Sequence, residues 1–306
     1  MITTSGGGGS NAIVSAVAVQ YAQLLLADRA SLRGHPALIN LGAYGAGRIA
    51  AGSTAFQFTL FGLDGYDLLS AVSEGSAVTE TSLTSAAKSI SIARRGLRRD
   101  LSDWINSIDP TGALNPMRLA QDGFASASMT LTNLIAALAS GFSTQVGTSG
   151  ADFDHDVWLE AKAALIEAKV PGPYLAVLHP NHFSRWMVDL EGRGGLTQWS
   201  AAAAEMQILK GPGFQGIYDG VEVYTSSKCP ASSSDYISMM FGQGAIGYAE
   251  QEITFPASAI IHLQVGPIAV EEVRNGEKGA TEIITHYYAG VTEIEDGRGV
   301  GMIAAG

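Results

Sequence analysis

The sequence predicts an α+β fold, and three observations predict it. A stripe of apolar residues at steps of three and four runs through 115–140, and several shorter runs alternate apolar with polar residues. Asp219-Gly220 and Asn275-Gly276 stand between such runs as turn signals. At 306 residues the chain can bury a sizeable core as one large domain or two. Only 15% of its residues are charged while 37 are glycine, which describes many turns and a bland surface of the kind that belongs partly to subunit contacts. The net charge of −11, with 18 Lys and Arg in all, opposes tight binding to a phosphate backbone, because each phosphate contact uses a cation. A single cysteine, Cys229, excludes an internal disulfide and fits a reducing compartment. No apolar run approaches the ~20 residues of a membrane helix, and the N-terminus lacks the basic start of a secretion signal.

The elements follow in order. Residues 6–10 read either as a synthetic linker or as a natural flexible arm. Over 12–30, Val14, Val17, Tyr21, Leu24 and Leu25 predict a helix, which the glycine-rich 42–52 ends. Phe56, Phe58 and Leu60 alternate with Gln57 and Thr59, so this run is a strand with one buried face, and 64–72 is a short helix. From 74 to 99 the pattern is a long ribbon, with 78–83 going out and 88–94 coming back. Ile90 and Ile92 share a face with Lys88 and Arg94, leaving little to build a core of its own. An isolated two-stranded ribbon is marginal in water, so it is expected to lie against the rest of the chain or a neighbouring copy.

Met117, Ala120, Phe124, Ala127, Leu131, Leu134 and Leu138 form one helical stripe over 115–140, with Pro116 suited to the first turn and Gly141 to the end. Lacking charged flanks, it is expected to pack on a sheet rather than in a coiled coil. Asp154 is placed to cap a helix reaching 169, whose Val157, Trp158, Ala161, Leu165 and Ala168 share a face. Pro171 stops it, 174–178 reads as a buried strand, and 180–190 as the next helix. A strand then turns at Asp219-Gly220, leaves as 221–224, breaks at Cys229-Pro230, and resumes after a Ser-rich loop as 236–241. Ala257, Ala259, Ile261, Leu263 and Val265 continue the β pattern. A two-residue turn at Asn275-Gly276 would set Arg274 opposite Glu277, Val270 opposite Thr281 and Ile268 opposite Ile283. The last strand, 283–294, gives Ile283, Tyr287 and Val291 to one face.

Candidate chemistry is thin. His179 and His182 could hold a metal from a helix start, but no third ligand follows at a suitable spacing and strand-Pro-helix punctuation accounts for the segment. Asp152-Phe153-Asp154-His155-Asp156 opens like a calcium loop, yet Val157 and Ala163 stand where Gly and Glu are required. Gly45-Ala46-Gly47 matches a loose dinucleotide pattern in the wrong context, ahead of a strand. Cys229 has no base near it in sequence and reads as a structural thiol. No catalytic, cofactor-binding or metal residue is therefore assigned, and no cofactor is expected. Arg94, Arg95, Arg98 and Arg99 form the only basic cluster, serving either surface ion pairs or acidic surfaces of neighbouring subunits.

The passage from Gly216 through Pro230, continued by Tyr236-Ile237-Ser238-Met239-Met240-Phe241-Gly242, resembles one found in major capsid proteins of tailed phages, which share the Hong-Kong-97 type fold. The order of segments is similar to that family over nearly the whole chain. The resemblance implies an N-terminal arm (1–50), an extended loop (51–105), a spine helix of a peripheral domain (106–145), an axial domain (146–240) and β-rich strands completing both (241–306). It implies that Lys88, Ile90, Ile92, Arg94, Arg95, Arg98 and Arg99 lie at contacts between subunits. It further implies identical subunits in pentamers and hexamers, a separate scaffolding protein, a portal, a decoration protein, and packaged DNA touched only weakly. The location implied is the virion, assembled in the host bacterial cytoplasm. An encapsulin-like compartment is the alternative, and a metal-dependent soluble enzyme using His179 and His182 is a further one.

Overall fold

The computed structural model describes residues 35–41, 55–61, 85–104, 116–194, 199–201, 213–251, 261–265 and 267–306. The helices expected over 12–30 and 64–72, the glycine-rich 42–52 and the outgoing 78–83 lie outside them. In chain order the described strands begin with β1 (Leu38–Asn40), β2 (Ala55–Phe61), β3 (Ser85–Ser91) and β4 (Ala93–Ser102), ahead of helix α1 (Pro116–Ala136). Next come β5 (Gln145–Val146), α2 (His155–Glu167), β6 (Tyr174–Leu178), α3 (Pro180–Gly192) and β7 (Trp199–Ala201). The remainder is β8 (Phe214–Tyr218), β9 (Val221–Thr225), β10 (Ala231–Ser232), β11 (Asp235–Phe241), β12 (Ile246–Glu250), β13 (Ile261–Val265), β14 (Ile268–Asn275), β15 (Ala280–Glu293) and β16 (Gly299–Ala305).

Two sheets and a ribbon result. The first sheet runs β1-β12-β15-β14-β13, with β4 also paired to the long β15. The second runs β5-β16-β11-β6-β9-β8-β7, with β10 against β11. β2 and β3 form the separate two-stranded ribbon.

Alternation in the second sheet assigns its two faces. Along β6, Ala176 and Leu178 turn to one side, where they meet Trp158 and Leu165 of α2 and Trp186 and Leu190 of α3. Leu175 and Val177 turn to the other, against Leu131 and Ile135 of α1 and Ile246 of β12. Both sides are apolar, so β6 and β11 read as nearly unbroken hydrophobic runs. Burying each large side chain contributes roughly 1.5–3 kcal/mol.

Local chemistry sets the helix starts as expected. Asp154 accepts a hydrogen bond from the Val157 N–H at 3.0 Å, capping α2. His179 sits before Pro180 and accepts from the Asn181 N–H at 3.3 Å, capping α3. Between β8 and β9, Asp219 and Gly220 both take positive φ, 50° and 75°, as a tight hairpin turn requires.

α1 crosses the first sheet at a glycine. A Cβ on Gly123 would stand 1.9 Å from the Thr285 hydroxyl oxygen of β15, so only hydrogen fits there. Its buried stripe is rotated slightly from the expected one: Leu131 and Ile135 are buried while Leu134 and Leu138 are half-buried.

The Asn275-Gly276 hairpin differs from expectation. Asn275 pairs with Ala280, Arg274 with Thr281, Val270 with Thr285 and Ile268 with Tyr287. The loop closes after Asn275: its side-chain oxygen accepts from the Lys278 N–H, and Gly279 takes the positive φ of 55°. The slip is an even number of positions, so every side chain stays on its expected face. β16, not anticipated from its glycine- and alanine-rich sequence, fills the second sheet between β5 and β11, because Gly299 leaves room for the Phe142 ring.

Candidate intersubunit surface

The seven residues expected at subunit contacts lie on β3, β4 and the residue between them. Among the described residues the partner of β3 is β2, from Ala55 opposite Ser91 to Phe61 opposite Ser85, and the expected outgoing 78–83 lies outside them. At Ile92 the chain changes partners. β4 then pairs with β15 over ten residues, from Ala93 opposite Ala289 to Ser102 opposite Ala280. The returning strand is therefore rooted in the chain's own sheet, because β15 offers a free edge long enough to take it.

Ile90 and Ile92 are buried within the chain. They are 0% and 7% exposed, packed with Leu41, Ala249 and Ile294, and Ile39 and Tyr288 lie against that cluster. The folded chain covers them itself. Gly290 permits the approach, since a Cβ there would sit 2.3 Å from the Ser91 carbonyl oxygen. Lys88 is half-buried near Glu293. Burial and the Asp296 carboxylate push the Glu293 carboxyl above its ordinary value, and the Lys88 ammonium pulls it back.

The arginines find carboxylates within the chain. Arg98 donates to Asp100 at 2.9 Å and to the buried Glu282, contacts that raise its guanidinium above the ordinary value. Arg99 reaches Asp122 on α1 at 2.7 Å, tying β4 to the helix. Arg94 lies 3.1 Å from His286 Nδ1. Arg95 is half-buried, and its Nε has no hydrogen-bond partner among the described residues. These are mostly exposed pairs, which contribute little individually. Their acidic partners Asp122 and Glu282 were not anticipated, since both are far from the arginines in sequence, one standing on α1 and the other on β15 beside β4.

The other candidates resolve into structural roles. His182 is fully buried, its Nδ1 2.8 Å from the Ser238 hydroxyl and its Nε2 3.2 Å from the Ala304 carbonyl, so both nitrogens are engaged. Burial lowers its pKa from 6.5 to about 4. His179 stacks on Tyr236 with ring centroids 3.5 Å apart. Among the described residues no group of three or more His, Cys, Asp or Glu converges to hold a metal. Burial pushes the Cys229 thiol up to about 12, far from a nucleophile's range. Asp152 and Asp156 pair with Arg185 and Arg193. The Gly45-Ala46-Gly47 run lies outside the described residues.

Among the described residues the large apolar side chains that remain at the surface are Trp104 after β4, Met129 on α1, Leu159 and Ile166 on the outer face of α2, Val188 on α3 and Val273 on β14. Leu159 and Ile166 lie on the side of α2 opposite the face that buries Trp158, Ala161 and Leu165. No helix among the described residues is long and apolar enough to cross a membrane.

No protein-family model and no curated protein matches the sequence. Solved structures do match the architecture. The capsid of Ralstonia phage GP4 overlays with a TM-score of 0.56 at 12% identity, covering 82% of this chain and 83% of that one. The acid-stable capsid of Helicobacter pylori bacteriophage KHP30 gives 0.55 at 10% identity, covering 83% and 85%. This chain has the fold of phage capsid proteins. The encapsulin complex of Synechococcus elongatus PCC 7942 is also similar, with a TM-score of 0.50 at 13% identity over 72% of this chain and 77% of that one. Within this fold β4 runs along an edge of β15 in the first sheet, while α2 and α3 cover one face of the second.

Proposed function

We propose that the chain is a major capsid protein of the Hong-Kong-97 type that self-assembles into an icosahedral shell around phage double-stranded DNA. The observation that carries this reading is the overlap with phage capsid subunits over more than four fifths of both chains. In this reading α1 is the spine of a peripheral domain with the first sheet, and the second sheet with α2 and α3 is the axial domain. Residues 1–50 are the arm and 51–105 the extended loop, rooted where β4 joins β15. Lys88 and the four arginines stand along that root, available to acidic surfaces of neighbouring copies when their own exposed pairs exchange.

Subunits meet as pentamers and hexamers, with scaffolding protein, portal and decoration protein as further partners. The acidic balance keeps packaged DNA from adhering to the wall. Assembly would take place in the host bacterial cytoplasm and the product would be the virion capsid. No enzymatic role is assigned.

Electron microscopy of the purified protein, alone and with its scaffold, should show uniform hollow particles. A small oligomer under every condition would end the proposal. A second reading, an encapsulin-like compartment, is favoured by the similarity to the Synechococcus shell. Nuclease-protected DNA inside particles isolated from the native source supports the phage capsid, and a co-purifying cargo enzyme supports the compartment.

A further inference from the structure

The Asn275-Gly276 pair is released from the turn role its sequence suggests, and its chemistry stays available. Neither residue takes a left-handed φ; Gly279 does, at 55°, so the pair stands at the entry of the loop that joins β14 to β15. Asparagine followed by glycine is the pairing in which a main-chain nitrogen most readily attacks a side-chain amide, because glycine has no Cβ to hinder the approach and lets the chain bend. Gly276 is exposed, and a Cβ there would meet nothing within 4 Å, so the loop does not shield the attacking nitrogen. The Asn275 amide is half-buried and held at both ends: its oxygen accepts from the Lys278 N–H at 3.2 Å, and its Nδ2 donates to Glu282 Oε1 on β15 at 2.9 Å. The first contact polarises the side-chain carbonyl toward attack. The second is a brace between strands, since Glu282 is 5% exposed and also receives Arg98 of β4.

We propose that Asn275 is a covalent modification site, converted without an enzyme to aspartate and isoaspartate, and that the conversion removes the brace joining β14 to β15. In the first step the Gly276 nitrogen bonds to Cγ of Asn275 and the Cγ–Nδ2 bond breaks. The departing nitrogen takes the proton that Gly276 gives up and leaves as ammonia, and a cyclic imide remains. Solvent water then opens the ring: cleavage at Cγ leaves aspartate, and cleavage at the main-chain carbonyl leaves isoaspartate. Either product exchanges an N–H donor for a carboxylate facing the buried Glu282 carboxylate, so a hydrogen bond to a charged acceptor gives way to like charges. Arg98 and Lys278, whose Nζ is 3.7 Å from Glu282 Oε1, soften that repulsion but cannot restore the donor. Isoaspartate also lengthens the main chain by a carbon beside the closing pair, Asn275 opposite Ala280. Ala280 pairs on its other side with Ser102, so the disturbance reaches the end of β4 as well. This chemistry does not depend on the shell reading, and its irreversibility gives each copy a record of its age.

The test holds the purified full-length protein in mildly alkaline buffer made with heavy-oxygen water and follows peptides covering 268–282 by mass spectrometry. Heavy oxygen should accumulate at position 275, with aspartate and isoaspartate both present. Gly276→Ala, which meets no neighbour and needs no left-handed φ, should slow the accumulation severalfold. In Asn275→Asp, amide exchange over 98–102 and 280–282 should be about tenfold faster, as loss of one charge-assisted hydrogen bond implies, and unchanged over 174–178. If that variant does not fold, the aged native protein separated by charge carries the same readout. A native sample that keeps its amide while the same chain in denaturant loses it would overturn the proposal, because the bonds to Lys278 and Glu282 would then be protecting the site. Equal rates in the native chain and Gly276→Ala would overturn the route through the glycine nitrogen, and unchanged exchange in the converted protein would overturn the brace.

Discussion

A single buried imidazole illustrates how position decides chemistry in this chain. His182 follows His179 by three residues, a spacing that invites a metal, yet one of its nitrogens meets Ser238 and the other the Ala304 carbonyl. Its neutral form is what the fold accommodates. Because its pKa falls from 6.5 to about 4 on folding, the unfolded chain takes up a proton that the folded chain refuses in that interval. The stabilisation is complete above about pH 6.5 and is lost as pH falls toward about 4, by roughly 3 kcal/mol in all. Melting temperature followed against pH should therefore decline across this window in the native protein, and less steeply in His182→Gln; parallel curves would mean the residue does not contribute. Cys229 yields a simpler expectation. With its thiol pushed up to about 12 by burial, it should resist alkylation at neutral pH until denaturant is added, and rapid labelling of the native protein would contradict that placement.

At the scale of elements, two glycines control how strands and helices approach β15, and they should respond differently to the same change. A methyl on Gly123 meets the Thr285 side chain, whereas a methyl on Gly290 meets the Ser91 carbonyl of the backbone. Both alanine substitutions should destabilise the protein by roughly 1–3 kcal/mol through overpacking. Thr285→Ala should recover part of the Gly123→Ala loss in denaturant unfolding, and no single side-chain truncation should recover that of Gly290→Ala. These close approaches were not legible in the sequence, because glycine marks turns and crossings alike. Elements whose signals are local were legible: α1 from its periodicity, α2 from Asp154, and the β8–β9 hairpin from Asp219-Gly220. What failed depended on distant partners. The hairpin after Asn275 slipped because Gly279, four positions on, supplies the left-handed residue and Arg274 bonds Asp103 instead of a cross-strand acid. The burial of Ile90 and Ile92 beside Leu41 and Ile294 was not legible, because it depends on β4 joining the distant β15.

For the whole molecule, the pairing of β4 with β15 changes what assembly into the proposed shell would have to accomplish. A subunit whose ribbon had no core would fold only with its neighbours. This chain instead buries separate clusters around both sheets and roots the returning strand internally. Among the described residues the exposed large apolar side chains, Trp104, Met129, Leu159, Ile166, Val188 and Val273, are dispersed over β4's end, three helices and β14, so each contact they could make with a copy is modest. Stability in a shell would then be the sum of a self-sufficient subunit and many small linked interactions, which mass action adds to the native state alone. Purified free subunits should accordingly unfold as folded proteins do, with slow amide exchange in β6, β11 and β15 before any particle forms. Assembled particles should melt higher than the same subunits released from them, and the difference should shrink when Arg98 and Arg99 are both replaced by Ala. Calorimetry on matched samples reads this directly. Free subunits with no cooperative transition would restore the view that the fold is completed by its neighbours, while identical transitions in particles and subunits would deny that assembly stabilises the chain at all.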